Sequence, residues 1–290
     1  MEVDTSKIVL ISFANEQYQK SAKSLEKRAR AIGFSDIRLF GPSDLSAEFV
    51  AKHRKTLELP RGAGYWLWKP WIIKTVLESM GENQTLLYCD AGVALRSNAY
   101  YFESLAEDGK IHLWHPISQK QTNNYWIYQK VWEEVVGNSR VNSDTHYWAG
   151  LILSQNNESF RKIVNHWLGL CANEYLLCPD SRVKYFPSPG LIAHRHDQSL
   201  LNCIVVLRPN SFSLSSFDAS SIRSPFFIHR RGNIKTYSQA QTLWYIQKAY
   251  SRLMQFIPRF LRLKLYKRIT KLRRPYASET EIQRHIDLFF

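Results

Sequence analysis

The apolar run Leu86-Leu87-Tyr88-Cys89 stops at a carboxylate, Asp90, which Ala91 and Gly92 follow. A buried strand that ends in an acid places a charge at the carboxyl edge of a sheet, where α/β proteins collect their ligands, and the two small residues let a bulky ligand approach the backbone. Oxygen ligands of this kind suit Mg²⁺ or Mn²⁺ held against a diphosphate. An Asp at such a position also caps the turn that follows it, and both roles stand open on the residues alone.

Just upstream, residues 61–71 combine Gly62 and Gly64, the cations Arg61 and Lys69, and four aromatics, Tyr65, Trp66, Trp68 and Trp71. Glycine permits close approach, aromatic rings give stacking surfaces and cations bind phosphate, so this segment reads as a loop that holds an anionic, ring-containing ligand. Further along stand Trp148-Ala149-Gly150, His194-Arg195-His196-Asp197-Gln198 and His229-Arg230-Arg231. Two histidines one residue apart lack a third ligand at a diagnostic spacing, which makes a zinc hydrolase a minor alternative. Asp197 fits either a catalytic contact or the N-cap of a following helix.

These groups need a frame. Ile8 to Phe13 reads as a buried strand, Gln17 to Ala31 as a helix ended by Gly33, and Asp36 to Leu39 as a second strand. That order is the βαβ signature of a parallel sheet with helices on both faces. Helices are expected at Ser46–His53, Trp71–Met80, Trp126–Val136, Ser159–Tyr175 and Gln198–Val205. Further strands are expected at Leu86–Cys89, Ile111–Trp114, Gly150–Leu153 and Phe226–Ile228. Trp126, Trp132 and Trp167 recur with other apolar residues at helical spacing, which reads as core.

The 290 residues, 44% of them hydrophobic, suffice for a sizeable core. No serine-hydrolase elbow, Walker loop or dinucleotide fingerprint is present, which argues against those classes. Cys89, Cys171, Cys178 and Cys203 have neither zinc nor disulfide spacing and read as reduced core residues, in keeping with a cytoplasmic protein. Neither a signal peptide nor a membrane-spanning run is visible. Of the 39 Lys and Arg, 14 lie in residues 219–278, a stretch without Asp or Glu; the other 25 are balanced by the 25 Asp and Glu elsewhere. All of the +14 net charge therefore belongs to the C-terminal section. There Leu261, Leu265, Ile269 and Leu272 recur at helical spacing between cations, which suits either an anionic bilayer surface or packing on the rest of the protein. The expected organisation is a catalytic domain over 1–237 and a basic amphipathic helical extension over 238–290.

The motifs together resemble the bacterial glycosyltransferases of the GT-A superfamily that build capsule, lipopolysaccharide and other surface glycans. The resemblance covers roughly residues 5 to 235. It rests on Ile11-Ser12-Phe13-Ala14 with Tyr18, the segment from Arg61 to Pro70, Tyr88-Cys89-Asp90-Ala91-Gly92, Trp148-Ala149-Gly150, His196-Asp197-Gln198-Ser199 and His229-Arg230-Arg231. It implies an α/β fold with a Rossmann-type mixed sheet. Ser12, Phe13, Ala14 and Tyr18 would receive the nucleotide base; Tyr65, Trp68 and Lys69 would face the donor, with Lys69 toward the diphosphate. Asp90 takes the first place of the family's Asp-x-Asp metal motif, Ala91 and Gly92 follow, and Gly92 stands where the second acid belongs. Either His229 would complete a Mn²⁺ or Mg²⁺ site from the C-terminal side, or Arg230 and Arg231 would do part of the metal's work by binding the phosphates directly, and both options stand open. Asp197 and Gln198 would be the catalytic pair, and Trp148, Ala149 and Gly150 with His115 the acceptor side.

The function expected is transfer of a sugar from a nucleotide-diphosphate donor to a glycan acceptor, lipid-linked, by a protein peripheral on the cytoplasmic face of an anionic membrane. A non-catalytic glycan-binding or scaffolding protein is one alternative, kept open by Gly92. A nucleic-acid binder is a weaker one, since the body is neutral and the charge is confined to the tail.

Overall fold

The computed structural model describes residues 8–117, 122–137, 140–179, 190–218, 221 and 223–229, with residues 238, 241, 242 and 245 singly. Arg230, Arg231 and nearly all of the 238–290 extension lie outside them, as does its boundary with the rest of the chain.

Six strands form one sheet, in the order β2-β1-β3-β6-β5-β7. They are β1 (Ile8–Phe13), β2 (Asp36–Phe40), β3 (Thr85–Cys89), β5 (Ile111–Pro116), β6 (Trp148–Gln155) and β7 (Phe212–Phe217). β4 (Val93–Leu95) and β8 (Phe226–Ile228) pair antiparallel as a small second sheet. The pairs β1–β2, β1–β3 and β5–β7 are parallel, but β6 runs antiparallel to both neighbours, so the sheet is mixed. The leading helices are α1 (Gln19–Ala31), α2 (Ala47–Leu57), α3 (Trp68–Ser79), α4 (Ala99–Ala106), α5 (Gln129–Val136), α6 (Glu158–Ala172) and α7 (Asp197–Leu207). The chain is thus α/β, as its sequence implies.

Period-two alternation decides which core each strand residue joins. Val9, Ile11 and Phe13 of β1 point into a layer completed by α3, α5, α6 and α7. Ile8 and Leu10 point into the opposite layer, with Leu25 and Ala29 of α1 and Phe102 of α4. A strand buried on both faces reads as a continuous apolar run, and β1 and β3 are buried throughout.

Three departures from the expected elements bear on the site. Helix α3 begins at Trp68, so Lys69 lies in its first turn and not on the preceding loop. The Trp126–Val136 segment breaks at Ile127 and Tyr128, both extended, into a single turn and α5. Helix α6 ends at Ala172, and a separate turn, Glu174–Leu177, follows Asn173, whose side chain accepts from the Tyr175 N–H.

Candidate active site

Among the described residues, those singled out by sequence gather along one edge of the sheet. Asp90 follows the carboxyl end of β3, and its N–H donates to the Gly150 carbonyl at 2.8 Å. Because β6 is antiparallel to β3, its first residues, Trp148 to Gly150, arrive at that same edge. The carboxyl end of β1, the first turn of α3 and the first turn of α7 converge there as well.

Lys69 is the centre of this cluster. Its Nζ lies 2.9 Å from Asp197 Oδ2 and 3.6 Å from Asp90 Oδ1, and it donates to the Ala149 carbonyl at 3.2 Å. The Lys69 and Asp197 side chains are each 4% exposed, whereas that of Asp90 is 30% exposed. Asp90 is therefore the carboxylate that meets solvent, and Asp197 lies beneath it. The Tyr88 hydroxyl donates to Asp90 Oδ1 at 2.5 Å, which leaves Oδ2 as the more available oxygen. Trp167 Nε1 donates to the Asp197 carbonyl at 2.8 Å and fixes the start of α7 against α6. Sequence periodicity placed Trp167 in the core, where its ring does lie, but nothing in its spacing announces that bond.

The charges shift one another. Burial pushes the Asp197 carboxyl up to about 6, opposed by Lys69 and reinforced by Asp90. Burial alone would lower the Lys69 ammonium, but Asp197 and then Asp90 outweigh it and hold the pKa above its ordinary value. Burial, with the Asp90 charge beside it, raises the Tyr88 hydroxyl well above its ordinary value, so it remains a donor. With both carboxylates ionised, the three charged groups sum to one negative charge.

On the first-strand side, Phe13 and Trp68 stack on each other with centroids 3.8 Å apart, and both are buried. Ala14, Ala22 and Ala91 form a small cluster with Tyr18 and Leu39 against it. Ser12 Oγ and Gln198 Nε2 are buried without a partner among the described residues. On the far side, Trp148 packs near Phe217 and Phe226, and His115 meets Tyr147 edge-on. The His229 N–H donates to the Gly92 carbonyl at 2.9 Å, which brings residue 229 alongside the Asp90 turn.

Gly150 is the tightest point. A Cβ there would lie 2.0 Å from Trp148 Cζ2 and 2.6 Å from Asp90 Oδ2. Gly150→Ala is expected to destabilise the protein by about 1–3 kcal/mol in denaturant unfolding, through overpacking against a ring with little room to move. An unchanged unfolding midpoint would show that the Trp148 ring can swing clear.

The aromatic segment adopts a conformation its composition only half announces. Gly62, Ala63, Gly64, Tyr65 and Trp66 all have positive φ, 61°, 51°, 92°, 53° and 60° in turn. The Tyr65 and Trp66 N–H groups donate to the Arg61 and Gly62 carbonyls at 2.8 and 3.3 Å. This is a turn of left-handed helix, a form that costs a non-glycine residue about 1–2 kcal/mol through its Cβ. Gly64 is required by space as well, since a Cβ there would lie 2.7 Å from Leu57 Cα.

Among the described residues, no three or more His, Cys, Asp and Glu side chains gather as a metal site. A Mg²⁺-like ion bound chiefly by substrate phosphates and water needs only one or two protein carboxylates, and Asp90 supplies one accessible oxygen. The four cysteines are buried free thiols, as expected. No helix of the described residues is long and apolar enough to cross a membrane.

No family model matches the chain, and no curated protein matches it. Among solved structures it is similar to a glycosyltransferase involved in the glycosylation of the major capsid of PBCV-1. The identity is 13% and the TM-score 0.41, over 76% of this chain and 93% of that one.

Proposed function

We propose that this chain is a GT-A-type glycosyltransferase that moves a sugar from a nucleotide-diphosphate donor to a glycan acceptor carried on a membrane lipid, in surface polysaccharide synthesis. The observation that carries the reading is the buried Lys69 ammonium, on which Asp90 and Asp197, from distant parts of the chain, converge at the carboxyl edge of β1 and β3. Such an edge is where α/β folds bind nucleotides.

In the reaction, the bond between the anomeric carbon and the departing phosphate oxygen breaks and a bond to the acceptor oxygen forms. The acceptor hydroxyl proton goes to Asp197, whose pKa of about 6 suits a base working near neutrality. Lys69 holds Asp197 and Asp90 at fixed places rather than reaching out to phosphate, because three protein oxygens already surround its nitrogen. A site with one net negative charge repels a diphosphate unless more cations arrive with it. A Mg²⁺ or Mn²⁺ ion taken up through Asp90 and the imidazole of His229 would supply that charge, and Arg230 and Arg231 follow His229 in the chain. Gln198 Nε2 and Ser12 Oγ, buried and without a partner among the described residues, would offer a sugar hydroxyl and the nucleotide their hydrogen bonds.

The test is a thermal-shift screen of nucleotide sugars with and without Mn²⁺, followed by donor turnover. A ligand at a hundredfold excess over its Kd stabilises the native state by about 2.7 kcal/mol, a readily measured shift. Asp90→Asn is expected to abolish the metal-dependent part of that shift while leaving the fold intact. A nucleotide sugar that binds equally well to Asp90→Asn and in chelator would move phosphate recognition to Arg230 and Arg231. Absence of any nucleotide-sugar shift, or donor binding without turnover, would favour a glycan-binding or scaffolding protein.

The basic extension carries the membrane part of this reading. Wild-type protein is expected to co-sediment with vesicles containing anionic lipid and to be released as ionic strength rises, since screening weakens each Lys and Arg contact. Equal recovery with neutral and anionic vesicles would contradict it.

A further inference from the structure

Five of the described residues other than glycine have positive φ, and four of them, Ala63, Tyr65, Trp66 and His196, meet in one place. The fifth, Asn83, sits in the turn before β3, where Asn is at home. The His196 ring lies 4.2 Å from the Tyr65 ring and 6.1 Å from the Trp66 ring, nearly parallel to the latter. His196 itself has φ 54° and ψ −119°, the first central position of a II′ turn that Gln198 N–H closes onto the Arg195 carbonyl at 3.1 Å. Glycine dominates that position, so a buried histidine there is held against its backbone preference.

The imidazole is neutral. Its Nδ1 lies 2.7 Å from the Leu177 carbonyl and so carries the proton, and burial, with Arg61 nearby, pushes its pKa well below the ordinary histidine value. The contact with Tyr65 and Trp66 is therefore one of packing between rings. Its location gives it meaning. Trp66 precedes Lys69 by three residues and His196 immediately precedes Asp197, so the ring contact and the 2.9 Å ion pair tie the same two segments together at adjacent points.

We propose that the left-handed turn at residues 62–66 and His196 form a strained clamp that holds Lys69 and Asp197 in register, with His196 as a positioning residue. Its catalytic consequence rests on the transferase reading above. The contacts that hold each backbone against its preference also restrict where Lys69 and Asp197 can lie.

The variants His196→Gly and His196→Phe test this. Glycine accepts the backbone angles and removes the ring; phenylalanine keeps a ring of similar size and gives up the bond to Leu177. Amide hydrogen exchange, read by mass spectrometry on peptides covering residues 61–69, should speed at least tenfold in His196→Gly and stay near wild type in His196→Phe. With whichever nucleotide sugar the thermal-shift screen identifies, His196→Gly should lose tenfold or more in kcat with KM for the donor within threefold. His196→Phe should recover most of that kcat. Unchanged exchange over 61–69 in His196→Gly, or a folded His196→Gly with full kcat, overturns the clamp. The exchange measurement needs no substrate, so it decides the clamp even if the transferase reading fails.

Discussion

If the proposed function holds, Asp197→Asn is expected to lower the transfer rate by a factor of about 10²–10⁴, the range that a positioned general base contributes. The amide keeps the shape of the carboxylate and can still accept from Lys69, but it gives up both the ability to take the acceptor's proton and the charge opposite the Lys69 ammonium, for which Asp90 at 3.6 Å remains as a partner. Donor affinity, measured by thermal shift, should stay within a few-fold on the proposed reading, in which the donor approaches the 30%-exposed Asp90 rather than the 4%-exposed Asp197. The same assignment fixes the pH profile. A base must be ionised, so kcat/KM of the wild type should fall as the pH drops through about 6, where Asp197 gains its proton. A flat profile between pH 5 and 8, or an Asp197→Asn rate within a few-fold of wild type, would show that the carboxylate is only a partner for Lys69. A loss of rate matched by a collapse in unfolding temperature would point the same way.

Much of the frame that delivers these groups is legible in the sequence, and the reasons for success and failure are physical. β1 and β3 are buried on both faces, so their residues read as short apolar runs bounded by polar ones, and Asp90 stands out at the end of one of them. β7 escapes notice because Phe212-Ser213-Leu214-Ser215-Ser216-Phe217 is an edge strand with a largely exposed middle, where serine costs little. The antiparallel course of β6 follows from how it returns to the carboxyl edge of β3, a long-range property no local pattern encodes. Gly62 and Gly64 do signal unusual backbone. Ala63, Tyr65, Trp66 and His196 do not, since their positive φ is imposed by tertiary contacts against local preference.

Lys69 shows the same limit at the level of a single side chain. A cation between aromatics suggests a phosphate ligand, and the helix start that buries it becomes visible only with the fold. Tyr88, read from sequence as part of a strand, gains its role from the 2.5 Å bond to Asp90 two residues on. Asp90 and Asp197 could each be picked out as candidates. What could not be read is that one ammonium serves both.

That sharing makes Lys69→Met a strongly destabilising change. Methionine fits the volume of the stem but leaves two carboxylates near each other, one of them buried, with no cation between them. Removing one partner of a buried ion pair typically costs about 3–5 kcal/mol, because the remaining charge is left uncompensated. The loss should depend on pH in a definite direction. Lys69 holds the Asp197 carboxyl down; without it, burial and the Asp90 charge drive that pKa above the wild-type value of about 6. The folded variant then binds a proton at pH values where the unfolded chain, with an ordinary carboxylate, does not. More protons bound in the native state means stability that rises as pH falls through the raised folded pKa and levels off near the unfolded one, about 3.9. Thermal unfolding of Lys69→Met against wild type should therefore show a large deficit at pH 8 that narrows at pH 5. The double variant Lys69→Met with Asp197→Asn, which has no buried carboxylate to protonate, should lose most of that pH dependence. A deficit of equal size at both pH values would mean that Lys69 contributes by burial of its stem, with its charge incidental to the fold.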